Sequence, residues 1–584
     1  MIEDILSQVQ KPGRYIGREW NVAKKDFAKS DIKFALCFPD LYEIGMSNLG
    51  IRILYAILNN IKDVCCERFF APDIDMEKLL RSRGIELFSL ESARALKEFD
   101  IAGFSLGYEL NYTNVLNMLD TASIPPEASL RDHRHPLIIG GGPCVMNPEP
   151  MADFFDLFVI GEAEEAICEL LDVYRRMKQE FRAGKISKQD LLIEFSHIEG
   201  VYVPALYKVG YDAQGRIDEF KPLLSEVPPT VKKRFIKDLD SAYFPVDWIV
   251  PYIQTVHDRI SLEIMRGCPN KCRFCQAKAQ YFPFRKREPG KVLDLACDTY
   301  RRSGYEELSL AGLSVSDYPQ IEGLTQSLVD TFKEKGVSVS LPSLKYRMMV
   351  GNLSGLIATV KKTGLTFAPE AGTERLRGII GKDFDEAGFL QALRQIYAAG
   401  YRHVKLYFMI GLPYEEKEDL DAIVDFSLRV SEIRRQIKNA PAQVNVSINT
   451  LIPKPHTPLQ WFKMDDPEEI MHKQEYLRGR FKNKRYLKLN LHNCRMSFLE
   501  GVLSRGDRRL SRVILAGFRA GCRFDAWGNY FNFNLWQEAF AKNGIDPEFY
   551  LEARTADEFL PWDFLDVGIG KEVLCAEFNK PVAR

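Results

Sequence analysis

The sequence predicts an α/β chain made of two successive runs of βα units followed by a small α+β C-terminal extension. Two patterns carry that reading. Short apolar runs alternate with helical stretches of 3.6-residue periodicity, first across roughly residues 30–180 and again from 259 to 485. From 486 onward, charged groups pair with aromatics instead. A chain of 584 residues exceeds the ~250–300 residues at which one core stops growing, so several domains are expected. The division is 1–194, an α/β domain with an N-terminal arm; 195–258, a connector; 259–485, the second α/β domain; and 486–584, a C-terminal substrate or capping region.

In the first half, Ile32-Lys-Phe-Ala-Leu-Cys-Phe38 reads as a strand. It runs through Pro39-Asp40 and Leu41-Tyr-Glu-Ile-Gly45 into a helical pattern marked by Leu54, Ile57 and Leu58. Further strands are expected at 101–105, 137–139 and 157–160. Repeated βα units imply a parallel sheet, which binds ligands at the carboxyl ends of its strands. The loops expected there are Asp40, Tyr42 and Gly45; Ser105 and Leu106; Gly140, Gly141 and Gly142; and Gly161 and Glu162. Their glycines permit close approach of a bulky ligand. Glycine loops also serve as ordinary βα turns, which leaves a purely structural first domain as the competing reading.

The connector carries a hairpin, Ala205–Tyr211 against Arg216–Phe220, with a turn through Asp212-Ala-Gln-Gly215. Pro222, Pro228, Pro229 and Pro245 punctuate the rest of the connector, and Lys232-Lys-Arg234 suits a solvated linker face.

In the second half an alternating run, Ile260-Ser-Leu-Glu-Ile-Met265, leads into Cys268-Pro-Asn-Lys-Cys272-Arg-Phe-Cys275. Three thiolates in one tight loop can hold three irons of a [4Fe–4S] cube and leave the fourth iron open to a small molecule. A zinc site needs a fourth ligand, and the nearest candidates, His257 and Cys297, do not stand at zinc-knuckle spacing. Strands follow at 307–311, 337–341, 365–368, 403–410 and 443–449, which makes six with the one before Cys268. Past the sixth, Pro453-Lys-Pro-His-Thr-Pro-Leu-Gln-Trp461 brings a cation, His456 and an indole to a loop at the strand ends. His456 either faces substrate or is solvated at an exit from the domain. Arg505, Asp507, Arg508 and Trp527 either read a substrate or form a buried ion-pair network capped by aromatics.

The spacing C-x3-C-x2-C, with Phe274 before the last cysteine, resembles the signature of radical S-adenosylmethionine (SAM) enzymes. That resemblance implies an open, partial (β/α)6 barrel for the six βα units, with Cys268, Cys272 and Cys275 holding the cluster. By position it assigns SAM contacts to Phe274, Gly312, Ser314, Glu370, Ile410 and Gly411, although the family's usual G-G-E is absent after the second strand. The first domain, with its I-G-G-G-P and V-I-G-E-A-E-E segments, resembles the Rossmann-like cobalamin-binding domain that precedes the barrel in B12-type radical SAM enzymes. This makes its strand-end loops cofactor contacts. The family's D-x-H-x-x-G loop ligates cobalt, but here Tyr42 stands at the histidine position and no histidine precedes His133. Tyr42 or a neighbour is then expected to cover the lower face of cobalamin without a nitrogen bond.

With Gly13-Arg-Tyr-Ile-Gly17, the A-P-E-A-G-T segment and the P-K-P-H-T-P-x-Q-W loop, nearly the whole chain resembles a family of B12-binding radical SAM proteins whose substrate is unassigned. The resemblance implies reductive cleavage of SAM to a 5′-deoxyadenosyl radical, with cobalamin, for methyl transfer or another radical modification. An electron donor such as flavodoxin or ferredoxin is implied, and a substrate that is a small molecule, RNA or protein. The competing functions are a cobalamin-free radical SAM enzyme acting on RNA or a ribosomal protein, and an iron–sulfur sensor without turnover.

Composition narrows the class. With 46% apolar and 27% charged residues and a net charge of −1, the chain is globular and lacks the basic excess of a nonspecific nucleic-acid binder. No apolar stretch reaches the ~18–20 residues of a membrane span. The start, Met-Ile-Glu-Asp-Ile, lacks a signal-peptide pattern, so a cytoplasmic location is expected. The other nine cysteines are scattered in apolar context, which suits buried thiols.

Overall fold

The computed structural model describes residues 2–340 and 365–580. Its first sheet uses β1 (Ile32–Phe38), which continues through helix α1 (Leu49–Asn60) to β2 (Val64–Phe70), then β3 (Ile101–Ser105), β4 (Leu137–Gly141) and β5 (Leu157–Val159). Helix α2 (Ala163–Arg182) and β6 (Val201–Tyr202) complete it. The order is β2-β1-β3-β4-β5-β6, parallel throughout except for the β6 edge. The chain reverses direction across the sheet between β1 and β3, and that crevice at the strand carboxyl ends is where such sheets take ligands.

Two of these strands escape the periodicity argument. β2 is buried on both faces and carries Glu67 and Arg68 inside, so no alternation marks it. The two-residue β6 lies within the segment 195–258 read as a connector. In that segment the expected hairpin forms as β7 (Tyr207–Tyr211) against β8 (Ile217–Pro222), and β9 (Val231–Lys232) follows.

The second half contains two all-parallel sheets. The smaller joins β10 (Ile260–Glu263), β13 (Glu307–Ala311) and β14 (Ser338–Ser340). Between β10 and β13, β11 (Met265–Arg266) pairs antiparallel with β12 (Arg285–Lys286), and helix α3 (Pro289–Ser303) comes next. α3 starts on Pro289 and stops at Gly304, whose φ is 71°, a proline start and left-handed glycine stop. After β13 comes helix α4 (Ile321–Phe332). The strand expected at 337–341 is shorter, and its last residue, Leu341, lies outside the described residues.

The larger sheet is β15 (Leu365–Glu370), β16 (His403–Ile410), β17 (Gln443–Thr450) and β18 (Leu487–Leu491). Helices α5 (Glu386–Ala398), α6 (Lys417–Lys438) and α7 (Pro467–Phe481) alternate with these strands. β18 begins beyond the predicted end of the domain at 485, where the basic run Lys482 to Arg485 hides a short strand. One face of this sheet is apolar and packs on the helices through Leu406, Phe408, Val446, Phe389, Phe426 and Leu477. No described helix is long and apolar enough to cross a membrane.

The loop after β17 locks the second half to the first. Lys454 Nζ lies 2.7 Å from Glu109 Oε1 and 2.9 Å from Glu500 Oε1, and the Tyr108 hydroxyl donates to Glu500 Oε2. His456 is buried with Nε2 3.0 Å from the Met146 carbonyl, and burial pushes its pKa down to about 4. It is therefore a neutral pin between the two halves, neither solvated nor turned to substrate.

The C-terminal extension is held in the same way. Arg505 donates to the Tyr550, Phe462 and Glu552 carbonyls. Arg508 pairs with Glu149, Asp507 with Arg509, and Trp527 Nε1 donates to Asp40 Oδ1. Residues Leu565–Asp566 add to β9 as β19. Arg505, Asp507 and Arg508 are thus tied into the fold by separate contacts, Arg505 through carbonyls and not an ion pair, and half-buried Trp527 meets Asp40 apart from them.

Removing one partner of a buried ion cluster leaves uncompensated charge. Lys454→Met should lower unfolding stability by about 3–5 kcal/mol, read as a shift in the denaturant midpoint. Double replacement of Glu109 and Lys454 by Gln and Met should recover part of that loss.

Candidate functional site

β10 and β11 deliver the chain into the three-cysteine loop, and the β11·β12 pair closes its neck. Gly267 sits at that neck with φ 81°, and a Cβ there would fall 2.8 Å from Phe284 Cα and from the Pro283 and Tyr281 carbonyl oxygens. Only glycine fits. Beside it, buried Arg266 meets Glu162 (2.9 Å), Glu164 (2.6 Å) and Glu263 (2.8 Å), and Arg285 meets Glu162 at 2.7 Å. Two arginines depress the Glu162 pKa despite its burial. Glu162, read from sequence as a cofactor-loop residue, thus anchors the first sheet to the base of the cysteine loop.

The loop lies across the carboxyl ends of four strands. After β13, Asn270 Nδ2 donates to Cys268 Sγ (3.2 Å) and Asp317 Oδ2 (2.7 Å), and the Ser314 hydroxyl donates to the same carboxylate at 2.6 Å. After β15, the Arg273 amide donates to the Ile380 carbonyl at 2.8 Å. Phe274 packs on an apolar cluster containing Ala371, Ile380, Leu412 and Leu451. The structure therefore gathers Phe274, Ser314 and Glu370 around one loop, whereas Gly411 turns toward Asp465 and Ile470 and reaches the loop only through its neighbour Leu412. Gly312 joins them, since a Cβ there would meet Met265 Cγ at 2.6 Å. Ile410 differs: its side chain is in the helix-facing core, which leaves only its backbone on the site side.

Glu370 is backbone-strained, with φ 69° at an irregularity in the β15·β16 register. Burial raises its pKa, opposed by Lys382, whose Nζ lies 3.4 Å from Oε1. Burial also pushes the Cys272 thiol up to about 11 and raises Cys275, while the Lys382 charge pulls both down. Thiols must lose their protons to bind iron, and a fixed cation at the loop assists that.

The two candidate fourth zinc ligands are engaged elsewhere. The His257 ring lies beside Arg259, with Nδ1 3.3 Å from Nη2, and Cys297 packs in the core under β10 and β13. Three part-buried thiols on one loop match in number and spacing the ligands of a three-ligand iron–sulfur cube, although among the described residues their side chains are not drawn together into a metal-binding group.

A cavity of about 510 Å³ runs from the first sheet to Gly267 at the neck of this loop. Its inner slot runs between the sheet, at Phe34, Leu36, Gly103, Ile139 and Val159, and α1 and α2, at Ile53, Leu54, Leu58 and Ile167. Its outer end is bounded by Ser105, Gly140, Gly141, Gly142, Gly161 and Glu162 on one side and by Met265, Gly267 and Gly312 on the other. Gly161 has φ 105° with the Arg234 carbonyl oxygen 2.1 Å from a hypothetical Cβ, so this strand end turns only as glycine.

Four sequence-predicted residues stand apart from the cavity. Tyr42 is buried against the Phe70 ring, and its hydroxyl donates to Glu19 Oε1 at 2.9 Å. Asp40 accepts from Trp527 (3.0 Å), Asn111 (3.3 Å) and the Leu41 amide. A Cβ at Gly45 would lie 2.2 Å from the Phe70 ring, and Leu106 is buried with its amide bonded to the Gly141 carbonyl. Tyr42 has its buried polar partner in Glu19, which Arg68 holds at 2.8 Å. The first turn of α1, with Asn48, Leu49 and Gly50, takes its place at the cavity wall. The expectation that Tyr42 covers a cofactor there is corrected.

Residues 50–204 match the N-terminal domain model of radical SAM proteins, and residues 262–427 match the radical SAM superfamily model. An uncharacterized protein of Methanocaldococcus jannaschii is 29% identical over 485 residues, spanning 82% of this chain and 90% of the relative. A tRNA-2-methylthio-N(6)-dimethylallyladenosine synthase of Staphylococcus epidermidis is 23% identical over 182 residues, 30% of this chain and 35% of that protein.

Among solved structures, the radical SAM methyltransferase TsrM of Kitasatospora setae, with cobalamin and a [4Fe-4S] cluster bound, aligns with TM-score 0.49 and 13% identity over 74% of this chain and 77% of its own. The cobalamin-dependent radical SAM enzyme OxsB aligns with TM-score 0.47 and 12% identity over 89% and 72%. The three-cysteine loop, its setting at the strand carboxyl ends and the two matched models together place a radical SAM domain behind a radical SAM N-terminal domain in this chain.

Proposed function

We infer that this protein is a radical SAM enzyme that also binds cobalamin and modifies a substrate held between the two halves of the chain. The cavity carries the reading, because a single space runs from an apolar slot beneath the glycine loops of the first sheet to the neck of the cysteine loop. The two parallel sheets of the second half are then the two parts of one partial barrel.

Cys268, Cys272 and Cys275 would hold the cluster, and Phe274, Gly312, Ser314, Glu370 and Gly411 would surround SAM. Ser105, Gly140, Gly141, Gly142 and Gly161 would approach the corrin, with the slot between the sheet and α1 and α2 taking its nucleotide tail. When bound, the cluster supplies the electron that cleaves SAM to a 5′-deoxyadenosyl radical, and cobalamin supplies a methyl-carrying cobalt.

The lining chemistry favours an amide-rich corrin over a flavin or nicotinamide nucleotide. At the outer end, Glu162, Glu164 and Glu263 already engage Arg266, which leaves acceptors for ligand amides and no spare cation for a pyrophosphate among the described residues. Buried, neutral His456 and the Lys454 cluster hold the two halves together so that the cavity keeps its width. The cluster would draw its electron from a small donor such as flavodoxin or ferredoxin.

Anaerobically reconstituted protein should take up cobalamin, seen in its visible spectrum. Reduced and given SAM, it should form 5′-deoxyadenosine slowly even without substrate. Deoxyadenosine without any cobalamin uptake would favour a cobalamin-free enzyme, and methylthioadenosine as the only product would refute the proposed cleavage.

A further inference from the structure

Alternation along the large second-half sheet separates two faces. Val404, Leu406, Val444 and Val446 are buried against helices, so the residues between them, Lys405 and Asn445 among them, project from the opposite face. The parallel register sets Thr366, Lys405, Asn445 and Lys488 in one cross-strand row. Tyr407, Ser447 and Asn490 form the next row. In the smaller sheet the same parity gives a row of hydroxyls, Ser261, Ser309 and Ser340.

The charges on these faces do not cancel. Among the described residues each carboxylate there is engaged: Glu263 by Arg266 at 2.8 Å, Glu307 by Arg259 at 3.3 Å and Glu370 by Lys382 at 3.4 Å. Lys405 Nζ bonds the Tyr407 hydroxyl and lies over its ring, with no carboxylate to neutralise it among the described residues. Lys488, Asn445, Asn449 and Asn490 are exposed. The result is a polar wall with two ammonium groups that meet no carboxylate among the described residues, below the carboxyl ends where the cysteine loop sits.

We propose that this wall binds the substrate and that the substrate is a small phosphate ester, its phosphate between Lys405 and Lys488 beside Asn445. The proposal rests on the partial-barrel reading given above. The two lysines stand two strands apart, about 9.6 Å at the backbone. Their flexible stems can converge on one dianion, whereas a single carboxylate satisfies one of them. Asn449, Asn490 and Ser447 offer both donors and acceptors toward the strand carboxyl ends, which suits hydroxyl- or base-bearing groups attached to the phosphate. A net charge of −1 lacks the basic excess that a polynucleotide backbone calls for.

Calorimetric titration of the full-length, cluster-loaded protein under anaerobic conditions tests this with ribose 5-phosphate, adenosine 5′-monophosphate and uncharged ribose. At least one phosphate should bind saturably and ribose should not. Lys405→Gln and Lys488→Gln should each weaken that binding at least tenfold, while Lys484→Gln, exposed and outside the strand, should leave it unchanged. Asn445→Leu, which keeps both charges, should weaken it less than either lysine variant.

The proposal is overturned if neither phosphate binds, if ribose binds equally well, or if the lysine variants bind like the parent. It is also overturned if a twelve-nucleotide RNA binds more tightly than the monophosphates with the same lysine dependence. Failure of the radical SAM reading would show separately, as absence of 5′-deoxyadenosine from the parent protein given SAM and reductant.

Discussion

Replacing Cys268, Cys272 and Cys275 together by alanine should abolish the brown absorption of the reconstituted protein and remove its iron, from about four per chain for a cube cluster to near zero. Each single replacement should lose most of it, because a cube held at only two corners exchanges its irons readily. The fold should survive. All three thiols are only part-buried, the neck of the loop is fixed by the β11·β12 pair and by the Arg266 ion pairs, and the Phe274 contact is untouched. Iron analysis and circular dichroism on the same sample separate the two effects. Retention of about four irons per chain in the triple variant would show that other residues hold the cluster.

Cobalamin uptake should fall more than tenfold in Gly141→Leu with little change in thermal stability. The nearest atom to a Cβ at Gly141 is the Val159 carbonyl oxygen at 3.8 Å, an ordinary contact, and the remainder of the side chain would extend into the cavity. The neighbouring positions provide the control. A Cβ at Gly140 would lie 2.7 Å from the Phe158 ring, and one at Gly161 would lie 2.1 Å from the Arg234 carbonyl oxygen. Leucine at either should destabilise the domain itself. Tyr42→Phe should leave cobalamin uptake unchanged, since the Tyr42 hydroxyl is spent on Glu19 away from the cavity. Paramagnetic resonance of the Co(II) form should show no splitting from an axial protein nitrogen. Normal uptake by Gly141→Leu, or loss of cobalamin in Tyr42→Phe, would relocate the site.

Much of the fold was legible because βα alternation leaves a periodic trace. The strands at 32–38, 101–105, 307–311 and 403–410 appear at the expected residues. β2 was not legible, since a strand buried on both faces with an internal Glu67 and Arg68 has no two-residue rhythm. β18 was hidden by its basic approach, and β6 is too short to have a pattern. At the site, the loop carrying Cys268, Cys272 and Cys275 was legible because its spacing lies within eight consecutive residues. The cavity wall at Asn48, Leu49 and Gly50 was not. Nothing local to α1 says which of its turns faces the sheet ends, and the Tyr42 turn had the better sequence claim.

The sequence by itself determined the spacing of the cysteine loop, the α/β class and the absence of an imidazole before His133, because each is a matter of residue type and short-range pattern. Tertiary structure decided the rest. It turned Tyr42 and Asp40 away from the cavity, and it made Glu162 a bridge to Arg266 and Arg285. It buried His456 as a neutral pin, and it set Lys405 and Lys488 on one face with no carboxylate between them among the described residues. Each of these depends on partners tens to hundreds of residues away, and the free energy of a buried polar or charged group is set by those partners and not by its neighbours in sequence.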